Sequence, residues 1–186
     1  MRKIIVSEFI SLDGVVDSPG AGDHPEAGWT FKQVATDNEV YEDKGREQEK
    51  ASALLMGRIS YDEFAPVWPS LEEFAGYNAM PKYVVSATLE NPEWHNTSVL
   101  RSLDDVRRLK DSDGGDIYVP GSPALVKSLS AAGLVDGYDL MIFPVLLGAG
   151  KRLFGADEGT PLSKLRLVEH KLYSNGVVHA VYDVER

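Results

Sequence analysis

Cysteine is absent from the 186 residues, which excludes disulfide bonds and metal sites built on thiolates. Positive charge is scarce: 19 Lys and Arg residues against 29 Asp and Glu residues give a net charge of -10. Such a balance argues against a nucleic-acid-binding protein, which needs a basic face. The four histidines are scattered and lack the spacing of a zinc site. The sequence therefore predicts no metal site and no nucleic-acid partner.

Long apolar runs are also missing. Glu8 interrupts the apolar run after Lys3, which leaves that run too short for a signal peptide or a membrane span, and no later run could cross a bilayer. We therefore expect no membrane partner and a cytoplasmic location. Neither an internal repeat nor a low-complexity linker is present. A hydrophobic content of 43% in a chain of this length suits one domain, residues 1–186.

Short apolar runs alternate with helical patterns along the chain. Strands are predicted at 3–10, 53–56, 82–86, 97–100, 116–120, 139–144, 165–173 and 177–184, and helices at 37–50, 59–64, from 102 to about 113, and from 123 onward. The turn Ser174-Asn175-Gly176 joins the last two strands as a hairpin. This order predicts an α/β fold: a mixed sheet with a parallel centre, an antiparallel hairpin at the C-terminal edge, and helices on both faces.

The central feature is a strand–glycine–helix crossing between Ala53 and Tyr61. Gly57 ends the strand, and a residue without Cβ lets a ligand approach the backbone. The helix that follows offers free N–H groups to a phosphate, while Arg58 adds a permanent charge and Ser60 a hydroxyl. The alternative is a strand, a turn and a surface arginine without a ligand.

A second crossing of the same type follows the strand at 116–120. Gly121 and Ser122 form its turn, and Pro123 suits an early helical position. Ser122 is expected either to cap the helix or to contact a phosphate. A glycine-rich arm with two basic residues, at 145–154, follows the third apolar strand of this kind.

Two further segments have open interpretations. The irregular stretch 15–33 is predicted to be a lid beside a site, because loops of this length are usually functional or disordered. Trp29 and Phe31 favour a packed loop over a disordered one. A surface Ω-loop is the alternative.

The highly charged helix at 37–50 is predicted to be solvated, so that its carboxylates form a solvent-exposed face rather than a catalytic set.

Five motifs occur in an order that resembles a known family. They are Ser11-Leu-Asp-Gly14, Leu55-Met-Gly-Arg58 with Tyr61, Lys82-Tyr-Val-Val-Ser86, Gly121-Ser122, and Pro144-Val-Leu-Leu-Gly-Ala-Gly-Lys-Arg-Leu-Phe154. Together they resemble the dihydrofolate reductase-like superfamily over nearly the whole chain. The branch that is most similar is the RibD C-terminal family, the reductase domain of the riboflavin-biosynthesis deaminase-reductase. The resemblance implies NADPH laid across the ends of the parallel strands.

The resemblance also implies a set of cofactor contacts. The residues that would contact NADPH are Gly57, Arg58, Ser60, Ser86, Gly121 and Ser122. Ala87 follows Ser86 where dihydrofolate reductases often have an arginine, so the choice between NADP and NAD is open. Pro120 replaces a glycine typical of those enzymes and removes one N–H donor.

Asp13 is the predicted catalytic residue. It follows the first strand within a motif of the family, where a carboxyl group could donate the proton that hydride transfer requires. The alternative is that Asp13 only fixes the turn before the lid. No acidic residue matches securely the carboxylate that serves folate reduction.

The predicted function is NADPH-dependent reduction of a small heterocyclic or carbonyl substrate. The named branch implies 5-amino-6-(5-phosphoribosylamino)uracil as one candidate. The alternatives are a dinucleotide or small-ligand binding module without turnover, and dihydrofolate reduction itself. Members of the family commonly pair, so a homodimer is expected, with apolar residues of the segment 144–154 as candidates for the interface.

Overall fold

The computed structural model describes residues 1–155 and 162–185, and its strands form one sheet. The strands are β1 (Ile4–Ser11), β2 (Ala53–Gly57), β3 (Lys82–Val85), β4 (Thr97–Leu100), β5 (Ile117–Pro120), β6 (Gly137–Phe143), β7 (Lys164–Leu172) and β8 (Val178–Glu185). Their order in the sheet is β4-β3-β2-β5-β1-β6-β8-β7. The six strands from β4 to β6 in this order run parallel to one another. Strand β8 pairs antiparallel with β6, and β7 pairs antiparallel with β8. The predicted mixed sheet is therefore confirmed, with the hairpin at its edge.

Helices lie on both faces of the sheet, as predicted. They are α1 (Trp29–Lys32), α2 (Asn38–Gly45), α3 (Glu47–Lys50), α4 (Arg58–Phe64), α5 (Ala75–Ala79), α6 (Leu103–Asp111) and α7 (Pro123–Ala131). Val106 of α6 and Leu129 of α7 pack in one core cluster with Val6 of β1. The opposite face is covered by the other helices, which contribute Tyr61 and Tyr77 to a second cluster. None of the helices in the described residues is long and apolar enough to span a membrane.

The central strand β2 is buried as its sequence predicts. Ala53, Leu54, Leu55 and Met56 have no exposed surface, because β2 lies inside a parallel sheet with helices on both faces. Gly57 continues the strand by one residue, and the helix after it begins at Arg58 rather than at 59.

Two parts of the chain differ from the prediction. The charged segment 37–50 forms two helices instead of one: α2 begins after Asp37, whose side chain caps the Glu39 N–H, and ends at Gly45, a poor helix former. The segment 64–76, which follows the predicted helix at 59–64 and has no predicted strand, contains two 3-10 turns and the start of α5. There Trp68 stacks on Phe64 and Phe74, so aromatic packing orders a segment that its two prolines mark as irregular.

The segments that follow β2 and β5, two neighbouring strands, lead to opposite sides of the sheet. From β2 the chain passes through α4 to β3 on one side, whereas from β5 it passes through α7 to β6 on the other side. The carboxyl ends of β2 and β5 therefore flank the topological switch point, which is where open α/β sheets bind ligands.

Candidate active site

The switch point holds a turn made by the ends of β2 and β5. The Gly57 N–H donates to Ser122 Oγ at 2.8 Å, and Ser122 Oγ donates to Ser60 Oγ at 2.8 Å. Gly121 and Ser122 both adopt left-handed backbone, with φ of 64° and 66°. Four of the six residues predicted to contact a cofactor are thus brought together here.

The geometry of this turn suits an anion bound by backbone groups. The hydroxyls of Ser60 and Ser122 form a hydrogen bond with each other. This favours a role for both in positioning the turn over direct contact with a phosphate. No side chain of the described residues caps the N-terminus of α7, where Pro123 occupies the first turn. A Cβ on Gly121 would lie 3.3 Å from Ser60 Oγ, so the glycine keeps the turn open. Free N–H groups at an uncapped helix start fit the pyrophosphate of a dinucleotide.

Arg58 and Ser86 lie along the same edge. Arg58 is the first residue of α4, and its Nε lies 2.8 Å from both carboxylate oxygens of Asp62. Ser86 directly follows β3, the neighbour of β2, and its Oγ accepts hydrogen bonds from the N–H groups of Thr88 and Leu89. The exposed guanidinium of Arg58 could still meet a ligand, whereas the buried hydroxyl of Ser86 closes a turn.

Asp13 is held by the turn and by the glycine-rich arm. Its carboxylate accepts hydrogen bonds from Ser11 Oγ at 2.6 Å and from the N–H groups of Leu147 and Gly148, and Arg152 lies 3.4 Å away. The Ser11 hydrogen bond, with help from those N–H groups and from Arg152, lowers the pKa of Asp13 to about 2. This geometry favours the turn-holding alternative over proton donation.

The predicted lid is a packed loop tied to the arm. The Val16 N–H donates to the Lys151 carbonyl, and the Leu153 N–H donates to the Gly14 carbonyl. Trp29 is fully buried. The loop and the arm therefore cover the ends of β1 and β6 as one layer.

A buried acid that the sequence did not single out lies against β1, next to Ser7. Glu47 of α3 is only 3% exposed, and its Oε2 accepts a hydrogen bond from Ser7 Oγ at 2.5 Å. Lys44 Nζ lies 2.8 Å from Glu47 Oε1 and donates to Ser7 Oγ. Burial raises the pKa of Glu47. The prediction that the carboxylates of this segment form a solvated face is wrong for Glu47, because the break after α2 turns it toward the sheet.

Asp139 and His179 extend this buried polar cluster. Asp139 Oδ1 lies 2.6 Å from His179 Nε2, and both side chains are buried. Burial alone would raise the pKa of Asp139, but the hydrogen bond from His179 and the charge of Lys44 outweigh it and lower the pKa. The charge of Asp139 in turn helps to raise the pKa of Glu47. The pKa values of these two acids are thus shifted in opposite directions, as in acid–base sites.

Glu8 is a third buried acid. It is 4% exposed, and its Oε1 has no hydrogen-bond partner in the described residues. Its strand pairs with β5 up to Ser7 and Pro120, so Glu8 lies next to Gly121 of the turn. Burial raises the pKa of Glu8 to about 8, although the charge of Lys44 opposes the shift. The position of Glu8 inside an otherwise apolar strand is the sequence signal that indicates a functional role.

Aromatic rings flank the acid cluster. Phe9 contacts Tyr41 edge-on at 6.1 Å, Phe31 stacks on Tyr41 at 5.0 Å, and Lys44 Nζ lies 5.2 Å above the Phe9 ring. Flat surfaces next to hydrogen-bonding acids suit a planar heterocycle. No group of three or more His, Asp or Glu side chains within 1–155 and 162–185 is arranged to hold a metal ion.

Comparison with known proteins agrees with this architecture. The family model of the RibD C-terminal domain matches residues 2–179. The chain is 30% identical to the uncharacterized protein YyaP of Bacillus subtilis over 97% of this chain and 94% of that protein, and 24% identical to the uncharacterized protein YwjB of the same organism over 95% of each. A crystal structure from Shewanella sp. PV-4, provisionally described as a riboflavin biosynthesis protein, superposes with a TM-score of 0.74 at 22% identity over 99% of both chains.

The match to the family model covers all the strands that build the candidate site, including the first residues of β8. The sheet order, the switch-point turn and the antiparallel edge agree with the dihydrofolate reductase-like fold that the motifs resemble. The chain belongs to the RibD C-terminal domain family.

Proposed function

We propose that the chain is an NADPH-dependent reductase that transfers a hydride to a small heterocyclic or carbonyl substrate. One observation carries the proposal: an open turn at an uncapped helix N-terminus, between Gly57 and Gly121, shares a sheet edge with a buried acid cluster around Glu47. The first feature fits a dinucleotide and the second fits proton transfer. When bound, the nicotinamide supplies the hydride.

The residues of this chain have distinct roles in the proposal. The turn and the start of α7 hold the pyrophosphate through backbone N–H groups, and Arg58 adds charge beside them. Glu47 holds the proton that a reduced heteroatom needs, because its raised pKa keeps it protonated to higher pH than an exposed acid. Ser7 and Lys44 orient its carboxyl group. Asp13 holds the loop against the arm.

The charged side chains near Glu47 bear on whether the substrate carries a phosphate. Lys44 is already paired with Glu47, and Lys171 with both Glu39 and Asp43. A phosphate ester bound there would have to displace these contacts, so we favour an uncharged heterocycle. The phosphorylated aminouracil of the riboflavin pathway and dihydrofolate are the two alternatives with which it should be compared.

The experiment is a screen of the purified protein for NADPH oxidation, followed by absorbance, against pteridine, pyrimidine and quinone panels that include both alternatives. Substrate-dependent oxidation that falls in Glu47→Gln supports the proposal. Binding of NADPH without oxidation by any compound selects the binding module. Oxidation at the same rate in Glu47→Gln rejects the role of Glu47.

We also propose that two copies of the chain pair, and that the compartment is the cytoplasm. Exposed apolar side chains on the edge strand β7 support pairing. They are Leu165, Leu167 and Leu172. Leu167 is 47% exposed and Leu172 is 73% exposed. Sedimentation of wild type at twice the chain mass, and of Leu167→Asp at the chain mass, is expected; a wild-type monomer at micromolar concentration contradicts pairing.

A further inference from the structure

The side chain of Glu8 lies against the turn that the ends of β2 and β5 form. Side chains of a strand alternate between the two faces of a sheet, so Glu8 points to the same face as Val6 and Ile10. These two residues pack in one core cluster with Leu125 of α7. Burial raises the pKa of Glu8, and the N–H of Gly121, which acts on the carboxyl group, opposes this shift. Glu8 therefore lies between β1 and the start of α7, next to the turn that fits an anion.

The surroundings of the Glu8 carboxyl group disfavour a negative charge. Its Oε1 is buried and has no hydrogen-bond partner among the described residues. Its neighbour on β6 is the apolar Leu140. A carboxylate in such a place loses its hydration without gaining the hydrogen bonds that would replace it. The protonated, neutral form is thus the one that this position accommodates.

Two charged side chains act on Glu8 from the opposite face of the sheet. Lys44 and Glu47 both contact Ser7, whose side chain alternates with that of Glu8. Burial has the largest effect on the pKa of Glu8, the charge of Lys44 lowers it, and the charge of Glu47 raises it. Because Lys44 and Glu47 form an ion pair, their effects on Glu8 oppose each other. Further charged side chains on the elements packed against the Glu8 face are paired or exposed: Asp13 with Arg152, Asp17 with Lys151, and Lys127 of α7.

We propose that neutral Glu8 keeps the turn ready for an anionic dinucleotide and that loss of its proton weakens binding, so that Glu8 couples cofactor affinity to pH. This inference rests on the proposed function, which places the pyrophosphate at the turn. A carboxylate next to the turn draws the Gly121 N–H to itself and repels the phosphate charges. Protonated Glu8 carries no charge and does neither as strongly. Glu8 is thus a positioning residue that acts through Gly121, not a group that touches the substrate.

The size of the coupling follows from the fraction of chains in which Glu8 keeps its proton. With the pKa of Glu8 raised by burial to about 8, about nine chains in ten are protonated at pH 7 and about one in ten at pH 9. Where only the protonated form binds, the affinity for the dinucleotide is about tenfold lower at pH 9 than at pH 7. By linkage, binding at pH 8 then takes up about half a proton per chain.

The test is calorimetric titration of NADPH into wild type, Glu8→Gln and Glu42→Gln at pH 7 and pH 9. The amide of Gln cannot ionise and has nearly the shape of the protonated acid. Wild type should lose about tenfold in affinity at pH 9, whereas Glu8→Gln should bind as wild type does at pH 7 and keep that affinity. Glu42 is an exposed acid of α2, so Glu42→Gln is the matched control and should follow wild type. Titration of wild type at pH 8 in two buffers of different ionisation enthalpy measures the proton uptake without any variant.

Separate outcomes test the inference and the proposed function. Wild-type binding that is equally tight at pH 7 and pH 9, or a loss of the same size in Glu8→Gln, overturns the inference while the cofactor proposal stands. The second result would assign the loss to another group, such as Lys82, whose pKa burial lowers to about 8 and which all three proteins retain. If wild type binds NADPH at neither pH, the cofactor proposal fails and this inference fails with it. Circular dichroism of wild type that is the same at both pH values excludes loss of the fold as the cause of weaker binding.

Discussion

The buried carboxyl of Glu8 makes the stability of the protein depend on pH in a defined direction. Its pKa is raised by burial from 4.5 to about 8 in the folded chain. Between these values the native protein keeps a proton that the unfolded chain has lost. Because the native state then binds more protons, the free energy of unfolding falls as pH rises from about 4.5 to about 8.

The size of this effect follows from the shift. One pKa unit corresponds to about 1.4 kcal/mol, so the full shift of about 3.5 units corresponds to at most about 5 kcal/mol. Domains of this size are typically stable by about 5–15 kcal/mol, so the effect is measurable even if it is half as large. Glu8→Gln replaces the carboxyl with a neutral group of similar shape and should remove this part of the pH dependence.

The assay is urea unfolding of wild type, Glu8→Gln and Glu42→Gln at pH 5.5 and pH 8.5, with the slope checked for each protein. Glu42 is an exposed acid of α2 and serves as the matched control. We expect wild type and Glu42→Gln to lose about the same stability on going to pH 8.5, and Glu8→Gln to lose clearly less. Equal losses in all three proteins would refute the reasoning, because Glu8 would then be ionised in the folded chain.

Three further predictions concern the site. Glu47→Gln should lower turnover by at least ~10²-fold with little change in NADPH affinity. In wild type, turnover should fall as pH rises through the raised pKa of Glu47. An unchanged pH–rate profile in the variant contradicts this role. Arg58→Ala should weaken NADPH binding roughly tenfold or more and leave the melting temperature nearly unchanged, since its exposed ion pair contributes little; calorimetry and thermal melts test both parts. Asp13→Asn should melt at lower temperature than wild type at pH 7, with near-normal turnover. Because the pKa of Asp13 is lowered in the folded chain, the difference in melting temperature should shrink as pH falls from 3.8 toward about 2. A ~10²-fold loss of turnover in a stable variant would restore the catalytic role of Asp13.

The sheet could be predicted from the sequence because each strand has a local signal. The run from Ala53 to Met56 has no polar break, and Gly176 marks the hairpin turn. These signals concern neighbours in the chain, and burial in a layered α/β fold follows from them. The same holds for the turn at Gly121, where glycine and proline mark the start of a helix.

The chemistry of the site could not be predicted in the same way, because its contacts join distant parts of the chain. Glu47 is one of many acids in a charged segment, and only the helix break shows that it faces Ser7, 40 residues earlier. The N–H groups that hold Asp13 come from Leu147 and Gly148, more than 130 residues later.

The buried acids also bear on the choice between an enzyme and a binding module. Burying Glu8 and Glu47 costs free energy, as their raised pKa values express, and apolar residues of similar volume in such positions are often neutral or stabilising. A module that only bound a dinucleotide would need the turn at Gly57 and Gly121 but no group that holds a proton beside it. Local departures from the most stable arrangement are expected at functional sites. The presence of both acids at the edge that carries the turn therefore favours a reaction with proton transfer over binding alone.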